Sequence, residues 1–402
     1  MSVVTPPSVL RDGAFVRLWT GATGSGLATW ALPFILGLAV LHGDLDPVGL
    51  GVVLAARTVG FLAAVPVGGV LADRHSRRGV VLWSGLVAAV AMPVMVFGLG
   101  RSVALMAIAA AVAGAGQGAC RPAFQALTAE IVDGDRRQQA NAAMSLAVRV
   151  TTLVAPGLTT LLGAFVSVHA LLFGVAVLWL TAAFVPPQGK ARPVDDVPAR
   201  AGFFTEFVEG VREARRHPWF VAGLVALTCV VATGYSATGV VLPMVSRDRY
   251  GTEVVLAAAT TGYAVGALIG ALLISRWRPA AQGWAAFASL ACYGFAPLSL
   301  LLPVHPAMIV AAYVIAGLGI ELFNVPWFTA TQREVAPDKL ARVSSLDFLL
   351  SYGLAPAGLA LIAPAIQEFG ATPVLAVCTV ICFAVPAAAC LVPSARGLTT
   401  KP

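Results

Sequence analysis

The stretch GGVLADRHSRRG, Gly68 to Gly79, joins an apolar run that begins at Val48 to another that begins at Val80. Within it one carboxylate, Asp73, stands beside Arg74, Arg77 and Arg78. A helix of about 20 apolar residues covers the hydrocarbon layer of a bilayer, and Val48 to Ala72 is long enough to do so. Basic loops stay on the cytoplasmic side, so the stretch reads as a short inner turn between two membrane helices. Asp73 is an anion at a helix end, suited to a charge-assisted network or to the free amides at the start of a neighbouring helix.

Outward from this turn the pattern repeats along nearly the whole chain. The predicted spans are Phe15 to Val40, Val48 to Ala72, Val80 to Leu99, Val103 to Phe124, Ala140 to Phe165 and Val168 to Val185. After a polar stretch come Phe220 to Val245, Val254 to Ser275, Trp284 to Leu302, Ala307 to Phe328, Leu340 to Ala363 and Thr372 to Val392. The chain has 11% charged and 58% hydrophobic residues and a mean hydropathy of +0.86, where soluble domains carry about 25% charged residues. The expectation is an all-α membrane protein with twelve transmembrane helices in two six-helix bundles, residues 1–185 and 220–402. Between them, residues 186–219 form a cytoplasmic linker. Its second part, FFTEFVEGVREARRHPWF from Phe203 to Phe220, sets Phe203, Phe207 and Val211 at helical spacing opposite a charged face. That is a helix lying in the membrane interface or one packed on cytoplasmic loops.

Of the 26 Lys and Arg, 21 fall on the side of the Gly68–Gly79 turn, while Arg101, Arg247 and Arg249 fall opposite and Arg57 and Arg149 fall inside spans. Both termini are therefore expected in the cytoplasm. The net charge of +7 follows from this topology and from contact with anionic lipid, with no nucleic-acid partner required. The first apolar run is too long for a cleaved signal peptide. The excess of Arg over Lys and the abundance of Ala and Val suggest a bacterial source and its cytoplasmic membrane. The six cysteines all lie in apolar segments and read as packing residues.

The two halves also echo one another. RPAFQALTAEIV at Arg121–Val132 and VPWFTATQREVA at Val325–Ala336 share Pro, Phe, Ala and Glu at a constant offset, and Ala155-Pro156-Gly157 is echoed by Ala355-Pro356-Ala357-Gly358. These echoes fall at helices 4 and 10 and at helices 5 and 11, as a parallel six-helix repeat requires.

With these residues in hand, GGVLADRHSRRG resembles the signature of the major facilitator superfamily: Gly69, Leu71, Ala72, Asp73, Arg74, Arg77 and Arg78 match it. FVRLWTG (Phe15–Gly21), AEIVDGDRRQQANA (Ala129–Ala142) and FVEGVREARRHPW (Phe207–Trp219) resemble the bacterial drug/proton antiporter branch that contains macrolide-efflux and enterobactin-export proteins. The resemblance implies the major facilitator fold and a conformational latch. In that latch Asp73 faces the start of helix 11, Leu340 to Ser345, with Arg77 and Glu130 in the same network. It also implies a monomer that moves a small-molecule substrate without a cofactor, using the proton gradient. The sequence departs from the branch at Gly114, where the helix-4 motif has an arginine, and before Pro156, where a glycine is usual.

Ionisable groups inside the membrane are costly, so each is a functional candidate. Arg57 and Arg149 lie about 13 Å into their spans at 1.5 Å per residue, and Glu321 and Asp347 lie in the second half. An ion pair that forms and breaks as the halves rock would couple proton uptake to movement, because burial and a nearby arginine shift a carboxylate in opposite senses. Gln117, Arg121 and Gln125 share a stripe on helix 4, and Asn324 shares a face with Glu321; these line a cavity or join helices. The expected activity is export of an amphipathic drug or natural product by proton antiport. A siderophore or organic-anion exporter is the alternative if Arg57 and Arg149 both face the cavity. A membrane-embedded enzyme would need metal ligands or nucleophiles clustered at one depth, which the histidines and cysteines do not supply. No phosphate-binding glycine-lysine loop is present to use ATP.

Overall fold

The computed structural model describes residues 8–189, 203–252, 254–353 and 355–399, and every regular element among them is helical. Of the expected linker, residues 190–202 lie outside the described residues.

The short polar turns between apolar runs supply the helix starts. Asp12 accepts the Ala14 N–H at 3.0 Å to open α1 (Gly13–Leu41). Asp46, followed by proline, opens α2 (Pro47–Arg74); Ser76 opens α3 (Arg77–Gly98); Ser102 opens α4 (Val103–Ile131). Each side chain satisfies an amide that has no partner within its own helix. Then come α5 (Arg137–Gly163) and α6 (Val168–Phe184), the latter capped by Ser167. The amphipathic segment expected in the second part of the linker is α7 (Phe203–Arg215).

The second half begins with α8 (Pro218–Cys229), which passes through a π-helical turn at Val230–Tyr235 into α9 (Ser236–Asp248). It continues through α10 (Val254–Ile274), α11 (Gln282–Ala291), α12 (Phe295–Leu301) and α13 (Pro306–Glu334). α14 (Leu340–Gly353), α15 (Ala355–Phe369) and α16 (Ala371–Ala389) complete it. Among the described residues, ten helical stretches are long and apolar enough to cross a bilayer; α8 with α9 forms one of them, and α11 with α12 another. The other two predicted spans correspond to α6, apolar but only 17 residues long, and to α14 with α15 on either side of residue 354. Prolines 33, 66, 93, 122, 156 and 326 lie within helices that continue through them, as neighbouring helices in a membrane bundle permit.

The chain forms two compact units. The first comprises Met1–Ala140, Ala147–Gly210 and Ala336–Leu346; the second comprises Asn141–Leu146, Val211–Val335 and Asp347–Pro402. Each thus includes a short segment from the opposite half of the sequence, the start of α14 in the first and Asn141–Leu146 of α5 in the second. Within the first unit α4 packs along α2 and α3, and α6 packs on α3 and α1. Within the second α13 packs along α10 and α11, and α16 packs on α11, α12 and α8. Span for span the two patterns coincide, which is the spatial form of the sequence echo. Small residues allow the closest approaches: a Cβ added at Gly114 of α4 would collide with the carbonyl oxygen of Arg57 on α2.

Candidate functional site

Asp73 sits at the end of α2 and is 2% exposed. Its Oδ1 accepts the N–H of Ala341 at 3.1 Å and its Oδ2 the N–H of Arg342 at 2.8 Å. Both amides belong to the first turn of α14, where N–H groups lack helical partners and the helix dipole favours an anion. Gly69, one turn earlier on α2, permits this approach: a Cβ there would stand 2.7 Å from the Ala341 carbonyl oxygen and from Ser345 Oγ. The Arg342 guanidinium adds a 3.7 Å contact from Nε to Asp73 Oδ2.

A second set of charges closes around the same helix start. Arg77 pairs with Glu130 at 3.1 Å and also donates to the carbonyl oxygens of Ala126 and Pro337. Arg74 grips Glu206 of α7 with two nitrogens, Nη2 to Oε1 at 2.6 Å and Nε to Oε2 at 3.2 Å. Arg342 reaches Glu209 at 3.0 Å and Glu206 at 3.7 Å. Arg78 turns away and donates to the Phe184 carbonyl at 3.3 Å. Asp73, Arg74, Arg77, Arg342, Glu130, Glu206 and Glu209 therefore form one alternating network within the first unit. Glu206 and Glu209 were not legible as site residues from the sequence. Their only local signal is two carboxylates three apart on an amphipathic helix, which reads equally as a solvated face.

Of the candidates inside the spans, Arg57 and Gln117 meet. Arg57 Nη2 donates to Gln117 Oε1 at 2.7 Å and to the Thr29 carbonyl at 3.0 Å. A guanidinium thus lies on the helix-4 glutamine although position 114 is glycine, because α2 supplies it from across the contact. Arg121, Gln125 and Arg149 are half-buried in the first unit.

In the second unit Asp347 is 3% exposed, and its partners among the described residues are uncharged. Trp327 Nε1 donates to its Oδ2 at 3.2 Å and Ser351 Oγ to its Oδ1 at 3.0 Å. Trp327 is itself held in an aromatic cluster, stacked on Phe220 at 4.8 Å and on Phe323 at 5.5 Å, with Trp219 edge-on. Glu321, 1% exposed, lies beside Gly270 of α10, where an added Cβ would come within 3.1 Å of its own Cβ. Asn324, one turn further along α13, is also buried. The start of α5 makes a neutral contact: Asn141 and Gln332 exchange amide hydrogen bonds at 3.0 and 3.2 Å, and Asn141 also donates to Thr329 at 2.9 Å.

Residues 18–358 match the family model of the Major Facilitator Superfamily. Macrolide efflux protein A of Streptococcus pyogenes is 26% identical over 365 residues, which cover 86% of this chain and 88% of that protein. Macrolide efflux protein A of Enterococcus faecalis is 24% identical over 328 residues, covering 77% of this chain and all of that protein. Among solved structures, the human organic anion transporter MFSD10 superposes with a TM-score of 0.79 at 16% identity, covering 96% of this chain and 100% of that one. The fucose:proton symporter of E. coli superposes with a TM-score of 0.68 at 13% identity, covering 96% and 99%. At these identities the two structures speak for the fold alone.

Proposed function

This chain belongs to the Major Facilitator Superfamily, a multi-pass secondary transporter of small molecules, and from that premise we propose that it exports an amphipathic drug or natural product by proton antiport. The observation that carries this reading is similarity to macrolide efflux proteins over most of both chains. The site supports it in two ways. Asp73 on the first amides of α14 is a contact that can be made and released as a unit, as a latch in an alternating-access cycle must be. Glu321 and Asp347 are carboxylates buried within membrane helices, the chemical type that carries a proton when it alternates between solvated and desolvated settings. The proposed setting is the bacterial cytoplasmic membrane, with both termini and the Gly68–Gly79 turn inside. The functional unit in this reading is a monomer of two six-helix bundles joined by a cytoplasmic linker.

Reconstitution into proteoliposomes tests the proposal, with an imposed pH gradient and a panel of macrolides, lipophilic cations and organic anions. A cationic or neutral amphiphile should accumulate against its gradient while protons move the other way, and a protonophore should abolish the accumulation. Uphill transport indifferent to the pH gradient would refute antiport. A preference for the organic anions would favour the second reading, which requires Arg57 and Arg149 both to face the cavity.

A further inference from the structure

The second unit carries a groove that the transport reading leaves unused. It lies between the first two turns of α8 and the end of α16, with a volume of ≈ 720 Å³. Val221, Ala222 and Val225 form one wall, and Val385, Ala388 and Val392 the other. Val221 and Val225 remain 38% and 51% exposed, so the groove opens sideways from the helix pair and is not sealed within the unit. From Pro218 to Val225 it runs about 10 Å along α8 at 1.5 Å per residue.

Among the described residues, the one charged residue lining the groove is Arg215, the last residue of α7, next to Pro218 at the rim. Arg215 is exposed and has no hydrogen bond or ion pair among the described residues; the same holds for Arg212, one turn earlier. The carboxylate of that turn, Glu213, is already engaged by Arg216 at 3.1 Å and lies 3.6 Å from His217. The rim is therefore positive and the walls apolar. That polarity suits an amphiphile with an anionic head and hydrocarbon tails, on the leaflet that the basic turns face.

We propose that this groove is a binding site for an anionic phospholipid, with its phosphate on Arg215 and an acyl chain between α8 and α16. The lipid covers apolar surface that the protein leaves open and fixes the end of α7, where the linker enters the second half. A zwitterionic phospholipid of equal chain length fills the walls but gains less at the rim, because its own ammonium offsets the phosphate.

Native mass spectrometry of the full-length protein tests this site without requiring any transport activity, so its failure is separable from that of the antiport reading. Phosphatidylglycerol should be retained over phosphatidylcholine of the same chains, and Arg215→Gln should reduce that preference about fivefold, the expected worth of one cation at an anionic surface. Ala222→Trp should displace both lipids by filling the groove, with an unchanged melting temperature confirming the fold. If Ala222→Trp lowers the melting temperature, Val225→Ser serves instead and should weaken both lipids alike. Equal retention of the two lipids by the wild type overturns the proposal, and so does a preference undiminished in Arg215→Gln. Displacement of phosphatidylglycerol by inorganic phosphate at equal concentration would also overturn it, as the site would then hold a bare anion.

Discussion

At Asp73 each carboxylate oxygen takes one backbone amide of α14, so an isosteric amide cannot replace it: an asparagine would turn its NH₂ against one of the two N–H groups. A hydrogen bond to a charged group contributes about 1.5–3 kcal/mol. Asp73→Asn should therefore shift the latch equilibrium by roughly 10- to 100-fold and slow transport, while the melting temperature stays near that of the wild type. Transport equal to wild type at matched expression would remove Asp73 from the cycle. Glu321 and Asp347 divide differently. If one of them carries the coupling proton, Glu321→Gln or Asp347→Asn should abolish uphill transport yet spare downhill exchange; accumulation with normal pH dependence in both variants would exclude both. Asp73 and Arg77 stand in the Gly68–Gly79 motif, and Glu130, expected beside them from the resemblance, pairs with Arg77. The partners of Asp347 were not readable in advance. The sequence suggested an ion pair with an intramembrane arginine, whereas Asp347 is held by the Trp327 indole and Ser351. Nothing in the linear pattern separates a tryptophan that packs from one that also donates.

Among the elements, α7 shows how a helix can be foreseen and its role missed. Its amphipathic spacing announced it, but Glu206 faces Arg74 across 132 positions of sequence, and no local periodicity records such a distance. The pair is partly buried, with side chains 23% and 8% exposed, so it should contribute more than a solvated surface pair. Reversing one charge, as Glu206→Arg or Arg74→Glu, should lower the melting temperature of the detergent-solubilised protein. The double reversal should recover part of the loss. Additive losses would mean that the contact contributes nothing of its own.

For the whole molecule, the count and order of spans were legible because hydrocarbon imposes one length on every helix and the turns between them are dense in charge. α6 is shorter than the other spans, and the eleventh is described as α14 and α15 on either side of residue 354. What sequence order could not reveal is that Asn141–Leu146 of α5 group with the second compact unit and the first residues of α14 with the first, since grouping in space follows packing and not chain position. The charge asymmetry makes a further claim, tested in intact cells with an impermeant thiol reagent on single-cysteine variants. A cysteine at Arg249 should label and one at Ser76 should not; the reverse pattern would invert the topology.

The π-helical turn at Val230–Tyr235, between α8 and α9, bears on how this span tolerates a change of length. Removing a residue from an α-helix rotates everything beyond it by about 100° and sends a packed face into lipid. A π turn already holds one residue more than the α register needs, so deleting Ala232 should tighten it to an ordinary turn and leave Thr238 within reach of the Tyr293 hydroxyl, now 3.3 Å away. Deletion of Ala226, inside α8, should prevent folding, while the Ala232 deletion should yield a folded protein with one less point of give in that span. Comparable loss of folded protein from both deletions would mean that the extra residue is no slack in the helix but a required part of its packing.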